Sequence, residues 1–254
     1  MKRDICWVAH ERYDEKAELN LICFPYAGGS ASFFAPFKRS IDKTINLWPV
    51  LYPGREKNAG VPNFNSIEET AQAFVDANPW LFEKRYALLG HCTGALMAYE
   101  VALAAEKDYG AAPCLFFASS APAPCCEQFF QKDRISGEEL TERMIESGMI
   151  DRDFAEGEAF STYYLPLLQE DLKMHTKYTP QQPYSQMKTR AVVLYGDEDP
   201  LLQNPDAIHG WNRFAEYGVA SVAFPGGHFY LSSCREQVGQ AICRALSEER
   251  FNRI

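Results

Sequence analysis

Cys92 stands at the centre of Gly90-His91-Cys92-Thr93-Gly94, a G-x-C-x-G spacing that follows the apolar run Tyr86–Leu89. This is the spacing of a nucleophile elbow, a strand turning sharply into a helix, with sulfur where serine usually stands. The turn strains the central residue, and a small residue two positions to either side lets strand and helix approach closely. The central side chain then projects beside a helix N-terminus, where free amides and the macrodipole favour a developing anion. A nucleophile needs a base, and the base needs an orienting acid. Downstream, the run Ala191–Tyr195 ends in Gly196-Asp197-Glu198-Asp199-Pro200, and Ala220–Phe224 ends in Pro225-Gly226-Gly227-His228-Phe229. Nucleophile, acid and histidine therefore follow in the order Cys92, Asp199, His228, the order expected when all three sit past strand ends. Asp199 is preferred to Asp197, because a residue three past the glycine can turn back towards the histidine. Oxyanion donors are expected from two backbone N–H groups. One is that of Thr93, next to the nucleophile; the other is that of Ala27, in the glycine loop Phe24-Pro25-Tyr26-Ala27-Gly28-Gly29-Ser30. No lysine follows those glycines, so a phosphate cradle is discounted, and no His/Cys ligand spacing assigns a metal.

These residues need a scaffold. Short apolar runs alternate with helix-length segments, the pattern of βαβ units around a parallel sheet with helices on both faces. Buried strands are expected at Leu21–Phe24, Leu47–Tyr52, Tyr86–Leu89, Leu115–Ser119, Ala191–Tyr195 and Ala220–Phe224. Helices are expected from a capping box at Ser66 to about Ala77, and at Thr93–Glu106, Pro205–Tyr217 and Arg235–Glu248. Between about residues 122 and 185 no strand-like run occurs, and weak helical patterns fall at Glu138–Glu146 and Glu158–Lys173. An insertion placed there lies over the strand ends, as a lid does, and long inserts in compact domains are usually functional. The expectation is one domain over residues 1–254 with a lid at about 122–185.

Composition narrows the partners. The 254 residues carry 25 Lys plus Arg against 34 Asp plus Glu, a net charge of −9. Such a chain is a poor binder of a phosphate backbone or an anionic membrane, so nucleic acid and membrane are excluded. No secretion signal and no bilayer-length apolar stretch is read, and the 8 cysteines are scattered. They are expected to be reduced, mostly buried thiols in a cytoplasmic protein. His10, His175 and His209 are expected at the surface or in packing.

With these motifs in hand, the chain resembles the type II thioesterases of nonribosomal peptide and polyketide assembly lines. Phe24–Ser30 resembles that family's opening motif, and Tyr52-Pro53-Gly54-Arg55-Glu56 its L-P-G-R-E segment. Gly90–Ala95 resembles G-H-S-M-G-A, and Pro166-Leu167-Leu168-Gln169-Glu170-Asp171 resembles the lid's P-x-L-R-A-D. Gly196–Asp199, Trp211 and Gly226–Phe229 complete the likeness. It implies an α/β-hydrolase fold and a discrete enzyme whose substrate is an acyl thioester on a carrier protein's phosphopantetheine arm. No cofactor of its own is expected, and a monomer is. The departures are Cys92 for serine, Thr93 for methionine, and Gln169-Glu170 for Arg-Ala. An acyl-cysteine is nearly equal in energy to the thioester consumed, so transfer to a second thiol stands beside hydrolysis. Cysteine variants resembling this family include aminoacyl shuttles between carriers. A non-catalytic carrier-docking module and a generic esterase are the remaining readings. Since chain and carrier are both acidic, docking is expected to use a local basic patch, with Arg55, Lys132, Arg134 and Arg143 as candidates. Tyr163, Tyr164, Met149 and Met174 are candidates for an apolar acyl pocket.

Overall fold

The structure is a computed structural model that describes residues 5–9, 13–126, 137–146 and 150–252. Its sheet has six strands, all parallel: β1 Leu19–Phe24, β2 Ile45–Pro49, β3 Tyr86–His91, β4 Leu115–Ser119, β5 Arg190–Gly196 and β6 Val219–Phe224. The order is β2-β1-β3-β4-β5-β6. The central strands read as unbroken apolar runs because both of their faces are covered. Ile22, Phe24, Leu88, Phe116 and Ala118 face one core, shared with α1 (Ile67–Ala77) and α2 (Gly94–Tyr109). Leu21, Cys23, Ala87, Leu89, Leu115 and Phe117 face the other, closed by the 3₁₀ helix Ala31–Arg39 and by α8 (Arg235–Asn252). The chain leaves β1 towards one edge and returns at β3 to build towards the other. The crevice between the ends of β1 and β3 is therefore the switch point, where open α/β sheets hold their ligands.

Local sequence explains most boundaries. The Ser66 side chain accepts from the Glu69 N–H at 3.1 Å and starts α1 as the capping box predicts. Gly110, at φ 65°, closes α2. Three expectations are corrected. β2 stops at Pro49, which lacks the N–H a strand needs, and Val50 instead bridges Val8. The helix expected over Pro205–Tyr217 is broken into α6 (Pro205–His209) and a 3₁₀ turn, Gly210–Arg213. At Gly210 a Cβ would lie 2.7 Å from Ala123. Finally, β6 is not buried: Ala220 to Ala223 are exposed, because β6 is the sheet's edge.

Between β4 and β5 the described residues form helices, α3 (Gly137–Glu146), α4 (Arg152–Ala155), a π-turn at Phe160–Tyr164 and α5 (Leu165–His175), and an isolated bridge from Met187 to Ala215. Leu140, Met144, Leu168 and Leu172 of these helices pack on Ala27 and against Phe229. That apolar cluster sets them over the C-terminal ends of the strands. The last short helix is α7, Tyr230–Ser233. Among the described residues no helix is long and apolar enough to cross a membrane.

Candidate active site

Cys92 is the first residue past β3 and has φ 54°, a left-handed conformation that costs about 1–3 kcal/mol for a residue with a Cβ. Its carbonyl accepts from the Ala95 N–H at 3.0 Å, and its N–H donates to the Ser119 carbonyl at 2.7 Å. The two flanking glycines make the turn possible. A Cβ on Gly90 would stand 2.3 Å from the Ala95 Cα, and one on Gly94 would stand 2.2 Å from the Phe24 carbonyl oxygen. The half-buried thiol is thereby held at the start of α2, beside the loop that leaves β1.

The structure brings Asp199 and His228 together. Both are buried, and Asp199 Oδ2 lies 3.1 Å from His228 Nδ1. Two loops must meet for this contact, and Gly196 permits it: a Cβ there would fall 2.2 Å from the Gly226 carbonyl oxygen. Asp197 and Glu198 are exposed, and Asp197 Oδ1 accepts from the Gly226 N–H at 3.0 Å, tying the same two loops. The Ser120 hydroxyl donates to the His228 carbonyl at 2.9 Å.

Burial alone would pull the His228 imidazole down. Only together do the Cys92 charge, hydrogen bonds to Asp199 and Cys92 and the Asp199 charge outweigh it, and the group is pushed up to about 10. Burial pushes Asp199 up, but its bond to and the charge of His228, with hydrogen bonds from Ser120 and Leu201, together hold it below the ordinary carboxylate range. Burial also raises Tyr26 to about 12, with the nearby Cys92 charge adding to the effect. His91 lies behind His228, their ring centres 5.4 Å apart. Burial and the His228 charge keep His91 neutral, and its Nδ1 meets the Ser119 hydroxyl at 2.9 Å, itself 2.7 Å from the Tyr230 hydroxyl. The arrangement is a thiol paired with a protonated imidazole, oriented by a carboxylate: the parts of a covalent acyl-transfer site.

Ala27 and Thr93 line one small cavity beneath α5. Among the described residues neither of their N–H groups donates to another protein atom. What holds the Ala27 loop is an ion pair that neither composition nor spacing identified. Arg55 Nη2 lies 2.6 Å from Asp171 Oδ1, and Arg55 Nη1 lies 2.8 Å from Asp171 Oδ2. Asp171 Oδ2 also accepts from the Gly28 N–H at 2.7 Å, and Arg55 Nη1 donates to the Gly29 carbonyl at 2.7 Å. The lid helix is thus clamped to the loop through two fully engaged charges. This corrects the expectation that Arg55 belongs to an exposed basic patch, since it is 0% exposed. The signal available in the sequence was that the two resembling segments, Tyr52–Glu56 and Pro166–Asp171, each carry one half of the pair. Arg143 is half-buried and bonded to Glu139 at 2.7 Å, while Lys132 and Arg134 lie outside the described residues.

Other expectations shift as well. Met174 is buried and lines the cavity, whereas Tyr163 is exposed. Tyr164 packs against the rings of Phe154 and Phe160, and Met149 lies outside the described residues. His209 is exposed; His175, by contrast, is buried on the same cavity as Ala27; His10 lies outside the described residues. Of the 8 cysteines only Cys23, Cys114 and Cys234 are buried. Among the described residues no cluster of three or more His, Cys, Asp or Glu is placed to hold a metal ion.

The chain is similar to known proteins. A family model described as a thioesterase domain matches residues 19–248. The thioesterase PikA5 of Streptomyces venezuelae is 29% identical over 243 residues, which cover 95% of this chain and 84% of that protein. Among solved structures, the RedJ thioesterase from the prodiginine pathway of Streptomyces coelicolor superposes with a TM-score of 0.81 at 29% identity. It covers 90% of this chain and 85% of its own. The type II thioesterase BorB from the borrelidin biosynthetic cluster gives a TM-score of 0.82 at 27% identity, covering 94% of this chain and 97% of its own.

Proposed function

The chain belongs to the thioesterase domain family, and from that premise we propose that it acts on acyl thioesters carried by the phosphopantetheine arm of a carrier protein in nonribosomal peptide or polyketide biosynthesis. One observation carries this reading: Cys92 sits at a strained turn beside a His228 that Asp199 orients. The sulfur of Cys92, paired with the His228 imidazolium, attacks the acyl carbonyl. The Ala27 and Thr93 N–H groups stabilise the oxyanion that forms. Collapse breaks the carbon–sulfur bond to the carrier arm, and His228 gives its proton to the departing thiolate. An acyl-Cys92 thioester remains. His228, now neutral, takes a proton from water as the water oxygen attacks. Collapse then expels the Cys92 thiolate and releases the free acid. Asp199 fixes the imidazole's orientation and stabilises its charged form throughout.

The sulfur at position 92 favours a second reading, transfer. Exchange of one thioester for another is nearly isoenergetic, so a second carrier's thiol can take the place of water. The intact mass of the protein after exposure to an acyl-loaded carrier tests the common core, with an acyl adduct expected on Cys92 and absent from Cys92→Ala. Adding a second, unloaded carrier separates the branches. Free acid alone excludes transfer, and label on the second carrier excludes purely hydrolytic release. No adduct and no turnover of any carrier-bound acyl group would overturn the reading.

A further inference from the structure

Ser120 takes no part in the steps above, yet the nucleophile, the acid and the base are all tied to its short segment of chain. It is the first residue past β4, the strand between those that carry Cys92 and Asp199, and it is buried. Its N–H donates to the Leu194 carbonyl of β5 at 2.8 Å, and the carbonyl of Ser119 before it accepts the Cys92 N–H at 2.7 Å. Its hydroxyl donates to the His228 carbonyl at 2.9 Å and is also in hydrogen-bond contact with the Asp199 carboxylate. Ser120 has φ 47°, a left-handed conformation that a side chain disfavours and glycine adopts freely. Strain of this kind persists where the surroundings fix it, and it gathers at functional sites. The loop that Ser120 holds needs a tether, since His228 follows Gly226, at φ 115°, and Gly227, around which there is open room. The Glu198 N–H and the Asp197 carboxylate hold Gly226, whereas the Ser120 hydroxyl holds the backbone of His228 itself.

We propose that Ser120 is a positioning residue, whose hydroxyl keeps the His228 ring in register with Cys92 and Asp199 once the imidazole has lost its charge. The proposal rests on the thioester reading above. In the resting site the imidazolium is drawn to the sulfur of Cys92 on one side and to Asp199 on the other, so charge itself aims the ring. After His228 has given its proton to the departing thiolate, the acyl-cysteine is neutral and so is the ring. Only the hydrogen bond between Nδ1 and Asp199 then draws the ring into place. The bonds from Ser120 to the His228 carbonyl and to Asp199 do not depend on the charge of the imidazole, and they carry the positioning through the second step. Loss of the hydroxyl therefore bears on deacylation more than on acylation.

Ser120→Gly tests this, because it deletes the hydroxyl and suits the left-handed backbone, so the variant is expected to fold. Wild type and variant, as full chains, are mixed with the N-acetylcysteamine thioester of propionate and quenched over time. Release of the first equivalent of thiol gives the rate of acylation. Decay of acyl-Cys92, followed by intact mass once the ester is removed, gives the rate of deacylation. In Ser120→Gly deacylation is expected to slow at least about tenfold, as a slightly misplaced base would, and acylation less than about threefold. Losses that are equal in the two steps, larger in acylation, or absent overturn the proposal. A second readout uses no turnover. In Cys92→Ala, NMR follows the Nδ1 proton of His228 as pH rises through the midpoint of the ring. Its resonance is expected to stay sharp on neutralisation, and to broaden when Ser120→Gly is added. A resonance equally sharp in both chains overturns the proposal. So does broadening in Cys92→Ala by itself, a result that needs no folded Ser120→Gly. Acyl-Cys92 formation with no difference between the steps removes this proposal alone. Absence of acyl-Cys92 and of turnover with every thioester, free or carrier-bound, removes the thioester reading and this proposal with it.

Discussion

Cys92, Asp199 and His228 each sit just past the end of a parallel strand, whereas Arg55 and Asp171 meet across a sequence separation of 116 residues. The first set is positioned by stiff local geometry. A strand, a strained turn and two obligatory glycines fix the thiol, and the acid and imidazole ride on loops of the same sheet. The second is positioned by tertiary packing, which lays α5 on the loop after β1. The difference also appears in the charges. At the sheet the ionised groups face one another and a half-buried reaction centre. In the lid two opposite charges neutralise each other and spend their remaining bonds on Gly28 and Gly29. In the proposed function the sheet carries the chemistry, and the clamp sets where the loop bearing Ala27 lies.

Breaking each region should give distinct losses. Cys92→Ala removes the nucleophile without touching the core, so turnover of acyl-carrier is expected to fall by about 10⁴-fold or more. Its thermal midpoint should stay near that of wild type, checked by calorimetry beside the kinetics. Arg55→Met attacks the clamp and leaves Asp171 buried and uncompensated. The expected cost is about 3–5 kcal/mol in urea unfolding. Adding Asp171→Leu should return part of that stability, because no orphaned charge remains. A double variant as unstable as the single one would show that the clamp's loss is not electrostatic.

The smallest effect sharpens the contrast by pH. His228 is raised to about 10 in the folded protein, against about 6.5 in an unfolded chain. A raised imidazole contributes stability in full below pH 6.5 and loses it as pH rises through 10. Steps that need the imidazolium should therefore hold from neutral pH to about 9 and decline near 10. Removing the sulfur's charge in Cys92→Ala should lower the His228 midpoint by at least about one unit, worth about 1.4 kcal/mol, as read by NMR titration. An unchanged midpoint would mean that Asp199 alone sets it.

Legibility follows the same division. The elbow could be read because G-x-C-x-G encodes a local shape, and Asp199 could be chosen over Asp197 from its distance past the glycine. The strands were legible as apolar runs, with β6 misjudged because a run of Val and Ala looks the same at an edge as in the interior. Arg55 was misplaced for a related reason: a cationic side chain belongs at the surface unless a partner is buried with it, and Asp171 lies far along the chain. His175 was assigned to surface or packing because helical periodicity does not say what the buried face of α5 meets.

What the sequence determined by itself is the six-strand alternation, the turn at Cys92 and the placing of Cys92, Asp199 and His228 past strand ends. Each of these depends on a few adjacent residues and their backbone preferences. The tertiary structure alone decided that Arg55 and Asp171 join and that His175 lines the cavity of Ala27 and Thr93. Those outcomes depend on which surfaces exclude water together, and that is settled by packing between distant segments, not by local propensity.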